Sequence, residues 1–327
     1  MRTVAITGGS GFVGSHIAAA FAEAGWRCRL LLRPAALRPA VSAEIVEGSL
    51  EQPERLAAFV EGADAVVHAA GLTASRDPAA FDAVNAGGTA SVAEAWSTGA
   101  PGAPFVLISS LAAREPDLTP YAASKRRAEA VLAGYAGRAC VLRPAAVYGP
   151  HDAATLALFR MADGPVQPLL GSDTARLCLI HAEDVARAAL AAAEEAPAGA
   201  CWELSDVRRE GYGWREMAMT LAEALGRTPR PVALPPWLVD AAGRSAVRWP
   251  ALTRLTGPLS PEKIRELRHE DWSSRAEDQP PAGLWSPRLD LAEGFGRTVA
   301  ALRADRKLRR ARRASPPRRA AKAGKEA

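Results

Sequence analysis

The sequence predicts an α/β protein built on a doubly wound parallel sheet, with a smaller, mainly helical C-terminal domain. Short apolar segments alternate with helical patterns through the first half of the chain, and the first of them runs directly into a glycine-rich turn. Strands that are apolar on both faces and separated by helices indicate a parallel sheet covered on both sides. Beyond about residue 205 the pattern becomes helical and is interrupted by prolines.

The apolar segments and the helical periodicity predict the following elements in order. In the first half we predict strands at residues 3–7, 28–32, 43–48, 64–70, 104–109 and 139–144. Helices are predicted between them at 12–24, 53–60, 78–96 and 121–134. In the second half we predict strands at 176–181 and 201–204 and helices at 155–162, 182–195, 214–225, 236–246, 261–268 and 289–303. Six of the eight tryptophans follow residue 200, which predicts a separate smaller core there.

Basic charge is concentrated at the C-terminus. The chain has a net charge of +5, but residues 306–327 contain ten Lys or Arg and one acid, so residues 1–305 carry −4. We predict that 306–327 is a disordered tail, because it lacks aromatic and β-branched residues. The acidic remainder predicts no specific nucleic-acid partner. We interpret the tail as a solubilising extension, while binding of anionic membrane lipid or nucleic acid by charge alone stays open.

Cysteine spacing and hydropathy bear on the compartment. The four cysteines are far apart in sequence and form no C-x-x-C pair, so we expect free thiols in a reducing cytoplasm and no metal site. The first predicted strand begins at residue 3, which leaves no room for a signal peptide. No apolar run reaches the roughly 18 residues that cross a bilayer. We therefore predict a cytoplasmic protein without a transmembrane segment.

The turn after the first predicted strand contains Gly8, Gly11 and Gly14 and leads into a helix. Glycine lets the backbone turn tightly and approach a pyrophosphate, whose charge is met by the N–H groups at the helix start. The alternative is a plain tight turn, but the position between strand and helix favours a dinucleotide site. The remaining residues predicted to contact the dinucleotide in this turn are Ser10, Phe12 and Val13.

A second motif, Tyr121-Ala-Ala-Ser-Lys125, follows a strand that ends in Ser109-Ser110. Four residues are roughly one helical turn, so the phenol and the ammonium lie on the same face. A free tyrosine with a pKa of about 10 is a poor base at neutral pH, and a nearby cation lowers that pKa. A solvated Tyr and Lys are the alternative. The position after the strand favours a catalytic pair.

The glycine spacing and the Ser-Tyr-Lys set resemble the extended branch of the short-chain dehydrogenase/reductase superfamily. That branch is the NAD(P)-dependent epimerase/dehydratase family, close to the 3β-hydroxysteroid dehydrogenase and dihydroflavonol reductase groups. The resemblance covers residues 2–205 well and continues loosely to about 303. It implies a Rossmann domain at 1–205, with part of 151–180 contributing to the substrate cleft, and a C-terminal substrate domain at 206–305.

The resemblance also implies a role for each catalytic residue. Tyr121 exchanges a proton with the substrate oxygen, and Lys125 tunes the phenol and holds the nicotinamide ribose. Ser110, rather than Ser109, hydrogen-bonds the substrate hydroxyl or carbonyl and stabilises a developing alkoxide. Asn85, in the segment VNAGGT, holds a helix bend and supports the proton path. An ordinary polar helix residue is the alternative for Asn85.

Other positions bear on the nicotinamide cofactor. In NAD-binding proteins of this fold, an acid about 20 residues beyond the glycines binds the ribose 2′-OH. This chain has Leu32 and Arg33 at the end of the second predicted strand and no acid there. A guanidinium attracts a 2′-phosphate, so Arg33 favours NADP; a solvated Arg is the alternative, and NAD stays open. The resemblance further implies cofactor contacts at Ser49, where the family usually has an acid, and at Leu50, Ala69, Ala70, Gly71, Pro144 and Val147.

Together these features predict an NAD(P)-dependent oxidoreductase or epimerase. A hydride would pass between nicotinamide and a secondary alcohol or ketone in a sugar nucleotide, a steroid-like molecule or another small carbonyl substrate. Leu111 and Ala112 stand where a common dehydratase arrangement has Asp-Glu, which argues against a dehydratase. The alternative is a non-catalytic NADP(H)-binding protein for redox sensing or assembly. A homodimer through two helices is common in the superfamily.

Overall fold

The computed structural model describes residues 1–164, 166–169, 171–172, 174–228, 230–235, 237, 241, 261–305 and 308. Its strands are β1 (Thr3–Thr7), β2 (Arg27–Leu32), β3 (Ala43–Glu47), β4 (Ala65–His68), β5 (Phe105–Ile108), β6 (Ala139–Pro144), β7 (Ala146–Tyr148), β8 (Val166–Leu169), β9 (Arg176–Leu177), β10 (Leu179–His181), β11 (Cys201–Leu204), β12 (Arg230–Ala233) and β13 (Asp271–Trp272).

The α-helices are α1 (Phe12–Glu23), α2 (Pro53–Val60), α3 (Pro78–Phe81), α4 (Gly88–Gly99), α5 (Pro120–Ala133), α6 (Ala153–Ala162), α7 (Ala182–Glu195), α8 (Trp214–Leu225), α9 (Pro261–Arg268) and α10 (Leu291–Ala304). A π-helical turn, Asp82–Gly87, joins α3 to α4, and a 3₁₀ turn, Leu111–Arg114, follows β5. The predicted helix at 236–246 falls largely outside the described residues, as does the basic tail.

Seven parallel strands form one sheet in the order β11-β6-β5-β4-β1-β2-β3. Apolar residues of α1 and α7 cover one face, and those of α2, α4 and α5 cover the other. The predicted doubly wound fold is therefore confirmed. The strand order reverses at β1, because β2 and β3 lie on one side of it and β4 lies on the other. In such sheets a ligand binds at this switch point, outside the carboxyl ends of the strands. The glycine turn after β1 and the segment after β4 meet there.

A second cluster of buried residues lies in the C-terminal region, between α6, α8, α10 and β8. Its large side chains include Phe159, Trp214 and Phe295. The prediction that the late tryptophans build this core is only partly right. Trp202, Trp272 and Trp285 pack instead against the core of the central sheet. Trp202 lies in β11, the edge strand of that sheet, and the chain returns to the sheet again at Trp272 and Trp285.

Two predicted elements differ in detail from the structure. The single strand predicted at 176–181 is divided at Cys178, because β9 pairs with β13 whereas β10 pairs with β7. The helix predicted at 78–96 is continuous, but its second turn is π-helical. The short strands β7, β8, β12 and β13 carry too few alternating residues to have been predicted.

Asp184 fixes the segment before α10 to the main domain. Its buried carboxylate accepts hydrogen bonds from the backbone N–H groups of Arg288 and Leu289, at 3.0 and 3.1 Å. The Trp285 indole donates to the Asp184 carbonyl at 3.2 Å. Asp184 therefore supports structure at the first turn of α7, as an acid in that place favours helix stability.

The four cysteines are free thiols, and three of them are buried. No helix in the described part of the chain combines the length and apolar character needed to cross a bilayer. Within those same residues, no group of three or more His, Cys, Asp or Glu side chains is placed to hold a metal ion.

Candidate active site

The glycine turn is shaped for close backbone approach. Gly8 has a φ of +73°, and a Cβ on it would lie 2.6 Å from the Ala70 nitrogen. A Cβ on Gly14 would collide with the Gly8 carbonyl oxygen, so α1 approaches β1 only because this residue is glycine. Gly11 caps α1 without a side chain. The first N–H groups of the helix therefore face the turn, as they do where a helix N-terminus binds a phosphate group, and the predicted pyrophosphate contact stays a prediction.

The other predicted residues of this turn lie around the same crevice. Ser10 is exposed, whereas Phe12 and Val13 are half-buried at the first turn of α1. A Cβ on Gly149, after β7, would be 3.6 Å from the Phe12 ring. The His16 ring nitrogen Nε2 lies 3.3 Å from the Pro150 carbonyl oxygen. The glycine turn and the segment after β7 thus form adjoining walls.

Residues predicted to contact the adenosine half lie at the ends of β2 and β3. Arg33 is exposed directly after β2, and its guanidinium has no hydrogen-bond or ion-pair partner among the described residues. Ser49 and Leu50 are half-buried after β3. The Ser49 N–H donates to the Gln52 side chain at 3.0 Å. The Ser49 hydroxyl accepts from the Glu51 N–H at 3.4 Å.

The segment after β4 passes tightly against α5 and the π-helical turn. A Cβ on Gly71 would lie 3.1 Å from Asn85 Oδ1 and 3.2 Å from Lys125 Nζ. Asn85 is buried in the π-helical turn, and its amide donates to the Leu72 carbonyl at 3.0 Å and to the Ser124 hydroxyl at 2.9 Å. Its oxygen accepts from the Leu72 N–H at 2.7 Å. This amide therefore ties the loop to α5, and its part in proton transfer stays a prediction.

Ala69 and Ala70 are half-buried beside the glycine turn. The Ala70 N–H donates to the Thr7 hydroxyl at 3.2 Å, and that hydroxyl lies 2.7 Å from His68 Nδ1. Burial, with a smaller effect from the Lys125 charge, lowers the pKa of His68 to about 3. His68 is therefore a neutral residue of the core at neutral pH.

The α5 helix begins at a side-chain N-cap, which positions Tyr121. The Thr119 hydroxyl accepts from the Ala122 N–H at 3.1 Å, and Pro120 takes the first helical position. These features start the helix one residue before Tyr121. The Tyr121 ring packs edge-to-face on Phe81, with ring centroids 6.1 Å apart. The phenol is thereby held at the first turn of α5, next to the end of β5.

The pKa of the Tyr121 phenol is raised, whereas the sequence predicted that the Lys125 cation lowers it; burial outweighs that effect, so the phenol stays protonated at neutral pH. Burial raises its pKa to about 12; hydrogen bonding with the Ser110 hydroxyl opposes this shift, and the Glu266 carboxylate adds to it. Burial also lowers the pKa of Lys125 to about 8, against the effect of Glu129. The Lys125 ammonium donates to the Ile108 carbonyl at 3.0 Å. At neutral pH the site therefore holds a proton donor beside a cation.

The two adjacent serines have different partners. Ser109 is buried and donates to Glu129 Oε1 at 2.6 Å. Ser110 caps the 3₁₀ turn and accepts from the Ala112 N–H at 3.2 Å, and its hydroxyl is near enough to the Tyr121 phenol to lower the pKa of that phenol. Ser110 and not Ser109 is thus the serine that faces the tyrosine.

Glu129 is the centre of a buried ion pair beneath the site. It lies one turn beyond Lys125 on α5, and Arg143 of β6 binds it through Nε and Nη2 at 2.9 and 2.7 Å. Because Ser109 at the end of β5 also donates to this carboxylate, Glu129 joins α5 to β5 and β6. The spacing of these residues in the sequence gave no sign of this contact.

The predicted nicotinamide-side residues follow β6. Pro144 is buried at the last position of β6, and Val147 is half-buried in β7. Val147 pairs with Ile180 of β10, which carries the chain into α7. The structure thus places both residues on the wall that also holds Gly149 and faces the glycine turn.

Two residues near the site were missed from sequence. Glu266 on α9 is buried, accepts a hydrogen bond from the Thr119 hydroxyl at 3.1 Å, and raises the pKa of Tyr121. Arg114, the last residue of the 3₁₀ turn, donates to the carbonyls of Ser273 and Asp271 at 2.7 and 2.8 Å. These contacts join the C-terminal region to the 3₁₀ turn and to the start of α5 across about 150 residues of sequence, so no local motif marks them.

Comparison with known proteins agrees with this geometry. Residues 4–204 match the sequence model of the NAD dependent epimerase/dehydratase family. A ceramide reductase of Caulobacter vibrioides is 41% identical over 300 residues, which cover 90% of this chain and 93% of that protein. A Stigmatella aurantiaca protein named 4-hydroxy-2-methyl-3-oxo-4-farnesyl-3,4-dihydroquinoline-1-oxide ketoreductase is 30% identical, covering 63% of this chain and 68% of its own length.

Solved structures share the fold at lower identity. UDP-glucose 4-epimerase of Thermotoga maritima, solved with UDP-glucose, aligns with a TM-score of 0.70 at 21% identity, covering 93% of this chain and 99% of that one. The Thermus thermophilus UDP-glucose 4-epimerase, solved with NAD, aligns with a TM-score of 0.67 at 23% identity, covering 93% and 99%. At these identities the likeness concerns the fold.

Proposed function

Because the chain belongs to the NAD dependent epimerase/dehydratase family, and is thus an NAD(P)-dependent oxidoreductase or epimerase, we propose that it reduces a ketone on a long-chain lipid of the ceramide kind. The observation that carries the reduction is the placement of the Tyr121 phenol on the first turn of α5, one turn from Lys125 and beside Ser110 at the end of β5. Similarity to a ceramide reductase along nearly the whole chain supports the substrate class. The second relative is also named a ketoreductase, of a farnesyl-bearing molecule.

In the proposed reaction the nicotinamide, when bound, supplies a hydride to the ketone carbon. The glycine turn would hold the pyrophosphate, and Lys125 would hold the ribose. Ser110 donates a hydrogen bond to the ketone oxygen and so stabilises the negative charge that develops on it. Tyr121 gives its phenolic proton to that oxygen, which becomes the alcohol. The Lys125 cation stabilises the phenolate left behind.

The experiment that tests this function is a turnover assay with purified protein. Oxidation of NADPH and of NADH is followed by absorbance, with a ceramide carrying a ketone as substrate and the corresponding alcohol as the matched control. We expect ketone-dependent oxidation and formation of the alcohol, detected by mass. Epimerisation of UDP-glucose without lipid reduction would contradict the proposal. Nucleotide binding without turnover of any ketone would instead identify a binding protein.

We further propose that the cofactor is NADP(H), and expect Arg33→Asp to move the preference toward NAD(H). The exposed guanidinium at the end of β2 is free to bind a 2′-phosphate, whereas a carboxylate would repel the phosphate and accept from a 2′-OH. Hydrogen bonds to charged groups contribute about 1.5–3 kcal/mol, so the ratio of kcat/KM for NADPH over NADH should fall by roughly 10- to 100-fold.

Arg38→Asp is the matched control for this change. Arg38 is also exposed and lies five residues further along the same loop. It undergoes the same reversal of charge without standing at the strand end, so its cofactor preference should stay close to that of the natural chain. An equal shift in both variants, or no shift in Arg33→Asp, would show that Arg33 does not select the cofactor.

A further inference from the structure

A stretch of the C-terminal region contacts the two elements that carry Ser110 and Tyr121. Ser110 caps the 3₁₀ turn Leu111–Arg114, and Tyr121 lies in the first turn of α5. Residues 115–119 connect these two elements along the chain. The end of α9 and the segment around β13 bind both of them from outside. We call the residues that make these contacts the C-terminal clamp: Glu266, Asp271, Trp272 and Ser273.

Arg114 joins the 3₁₀ turn to the clamp. Its guanidinium donates to the Ser273 carbonyl at 2.7 Å and to the Asp271 carbonyl at 2.8 Å. The Arg114 side chain is 9% exposed, and its Nη1 lies 3.7 Å from the buried carboxylate of Glu203 in β11. That carboxylate also accepts from the Arg275 N–H at 2.8 Å. One planar guanidinium thus binds two carbonyls of the clamp, while Glu203 fixes the same segment to the sheet.

Glu266 joins the clamp to the N-cap of α5. The Thr119 hydroxyl donates to Glu266 Oε1 at 3.1 Å and accepts from the Ala122 N–H at 3.1 Å. Because one hydroxyl makes both bonds, the carboxylate fixes the orientation in which that hydroxyl caps the helix. The Trp272 indole donates to the Glu266 carbonyl at 2.7 Å and packs in the core of the central sheet. The backbone of Glu266 is thereby anchored to that core.

We propose that Arg114 and Glu266 are positioning residues, which through the clamp keep the Ser110 hydroxyl and the Tyr121 phenol in the relation that proton transfer needs. This proposal rests on the part of the proposed function that assigns Tyr121 as proton donor, and it does not depend on the identity of the ketone. A misplacement of about 1 Å at a reacting group can cost roughly 10²-fold in rate. Contacts that fix the 3₁₀ turn and α5 relative to one segment therefore bear directly on kcat.

The negative charge of Glu266 is not the means of this effect at neutral pH. The carboxylate adds to the rise in the pKa of Tyr121, but burial is the larger cause of that rise. A tyrosine with its ordinary pKa of about 10 is already protonated at neutral pH. A change of kcat at neutral pH on substitution of Glu266 therefore reports the position of the phenol and not its protonation.

The first test compares three variants in the turnover assay at neutral pH, with kcat and the KM for NADPH measured separately. Glu266→Leu removes the acceptor of the Thr119 hydroxyl and should lower kcat roughly 10-fold or more, with the KM for NADPH unchanged. Glu266→Gln keeps an oxygen that can accept the same bond, so kcat should stay within about threefold of the natural value. Glu270→Leu is the matched control at an exposed glutamate and should leave both constants unchanged.

Arg114→Lys tests the other contact of the clamp. Lysine keeps a positive charge beside Glu203 but lacks the planar group that binds two carbonyls, so kcat should again fall roughly 10-fold. In the Tyr121→Phe background the effects of Arg114→Lys and Glu266→Leu should each shrink to less than about threefold, because no phenolic proton is left to position. A merely structural role would lower kcat by the same factor in both backgrounds.

Amide hydrogen exchange tests the contact with α5 without any turnover. The peptide that contains residues 119–125 includes the Ala122 N–H, which the Thr119 hydroxyl caps. Its exchange, followed by mass, should be at least ~5-fold faster in Glu266→Leu than in the natural chain, as expected for a weakened N-cap, and unchanged in Glu270→Leu. Circular dichroism should be the same in all variants and show that they are folded.

Several outcomes would overturn the proposal. An equal loss of kcat in Glu266→Gln and Glu266→Leu would show that the hydrogen bond to Thr119 is not the means. An undiminished effect of Arg114→Lys in the Tyr121→Phe background would show that Arg114 does not act through the phenol, and this comparison decides if Glu266→Leu fails to fold. Natural exchange rates in Glu266→Leu would remove the contact with α5. If the natural chain reduces no ketone, the proposed function is rejected, and the exchange rates alone then decide whether the clamp holds α5.

Discussion

Replacing Tyr121 by Phe is expected to lower kcat for ketone reduction by at least ~10²-fold, the low end for losing an acid–base group. The pKa of about 12 means that the phenol is protonated throughout the neutral range and is available to the ketone oxygen. Without it, the oxygen must take its proton from water. The ring contact with Phe81 needs no hydroxyl, so the phenylalanine should pack as the tyrosine does.

Tyr135→Phe is the matched control for this prediction. The Tyr135 hydroxyl lies after α5 and donates to Glu94 at 3.2 Å, away from Ser110 and Lys125. Its removal should leave kcat unchanged. Both variants should bind NADPH, measured by fluorescence of the bound nucleotide, like the natural chain. Turnover of Tyr121→Phe within a few-fold of the natural value would refute the assignment of Tyr121 as proton donor.

The parts of the site that could be predicted from sequence are those encoded within one element. The Tyr121–Lys125 pair depends only on the helical repeat, and the glycine turn depends only on its position between β1 and α1. The parallel sheet was likewise predictable, because its strands are short apolar segments and most of them are followed by a helix. The structure confirms that fold and places the phenol at the end of β5.

The parts that could not be predicted depend on contacts between distant elements. Glu266 reaches the N-cap of α5 from a helix that begins at Pro261, in a segment whose sequence is rich in charge and looks like an ordinary solvated helix. Trp272 and Trp285 look from sequence like members of a C-terminal core, yet they pack against the central sheet. Whether such a polar or aromatic residue is buried depends on which distant element its segment packs against. The periodicity of the segment carries no information about that partner.

The second large effect is expected from Glu129→Gln, which leaves the Arg143 guanidinium buried without its carboxylate. The side chains of this pair are only 7% and 12% exposed. Breaking a buried ion pair from one side costs about 3–5 kcal/mol, because the remaining charge is not solvated. We therefore expect the free energy of unfolding, measured by urea denaturation, to fall by that amount. Glu54→Gln, an exposed glutamate on α2, should leave it unchanged.

Glu129→Gln should also change the pH profile of the reaction, which a purely structural ion pair would not do. Lys125 carries its charge below its pKa of about 8 and loses it as the pH rises. Ketone reduction needs that cation, so kcat/KM should fall above about pH 8. The Glu129 carboxylate raises this pKa, and its loss lowers it, so the fall should begin at lower pH in Glu129→Gln.

Adding Arg143→Met to Glu129→Gln separates the two effects. Removal of the unpaired guanidinium should restore part of the lost stability, because no buried charge then remains without a partner. The carboxylate next to Lys125 is still missing in the double variant, so the fall in kcat/KM should remain at lower pH than in the natural chain. If Glu129→Gln loses stability but keeps the natural pH profile, then Glu129 holds the strands together without setting the charge of Lys125.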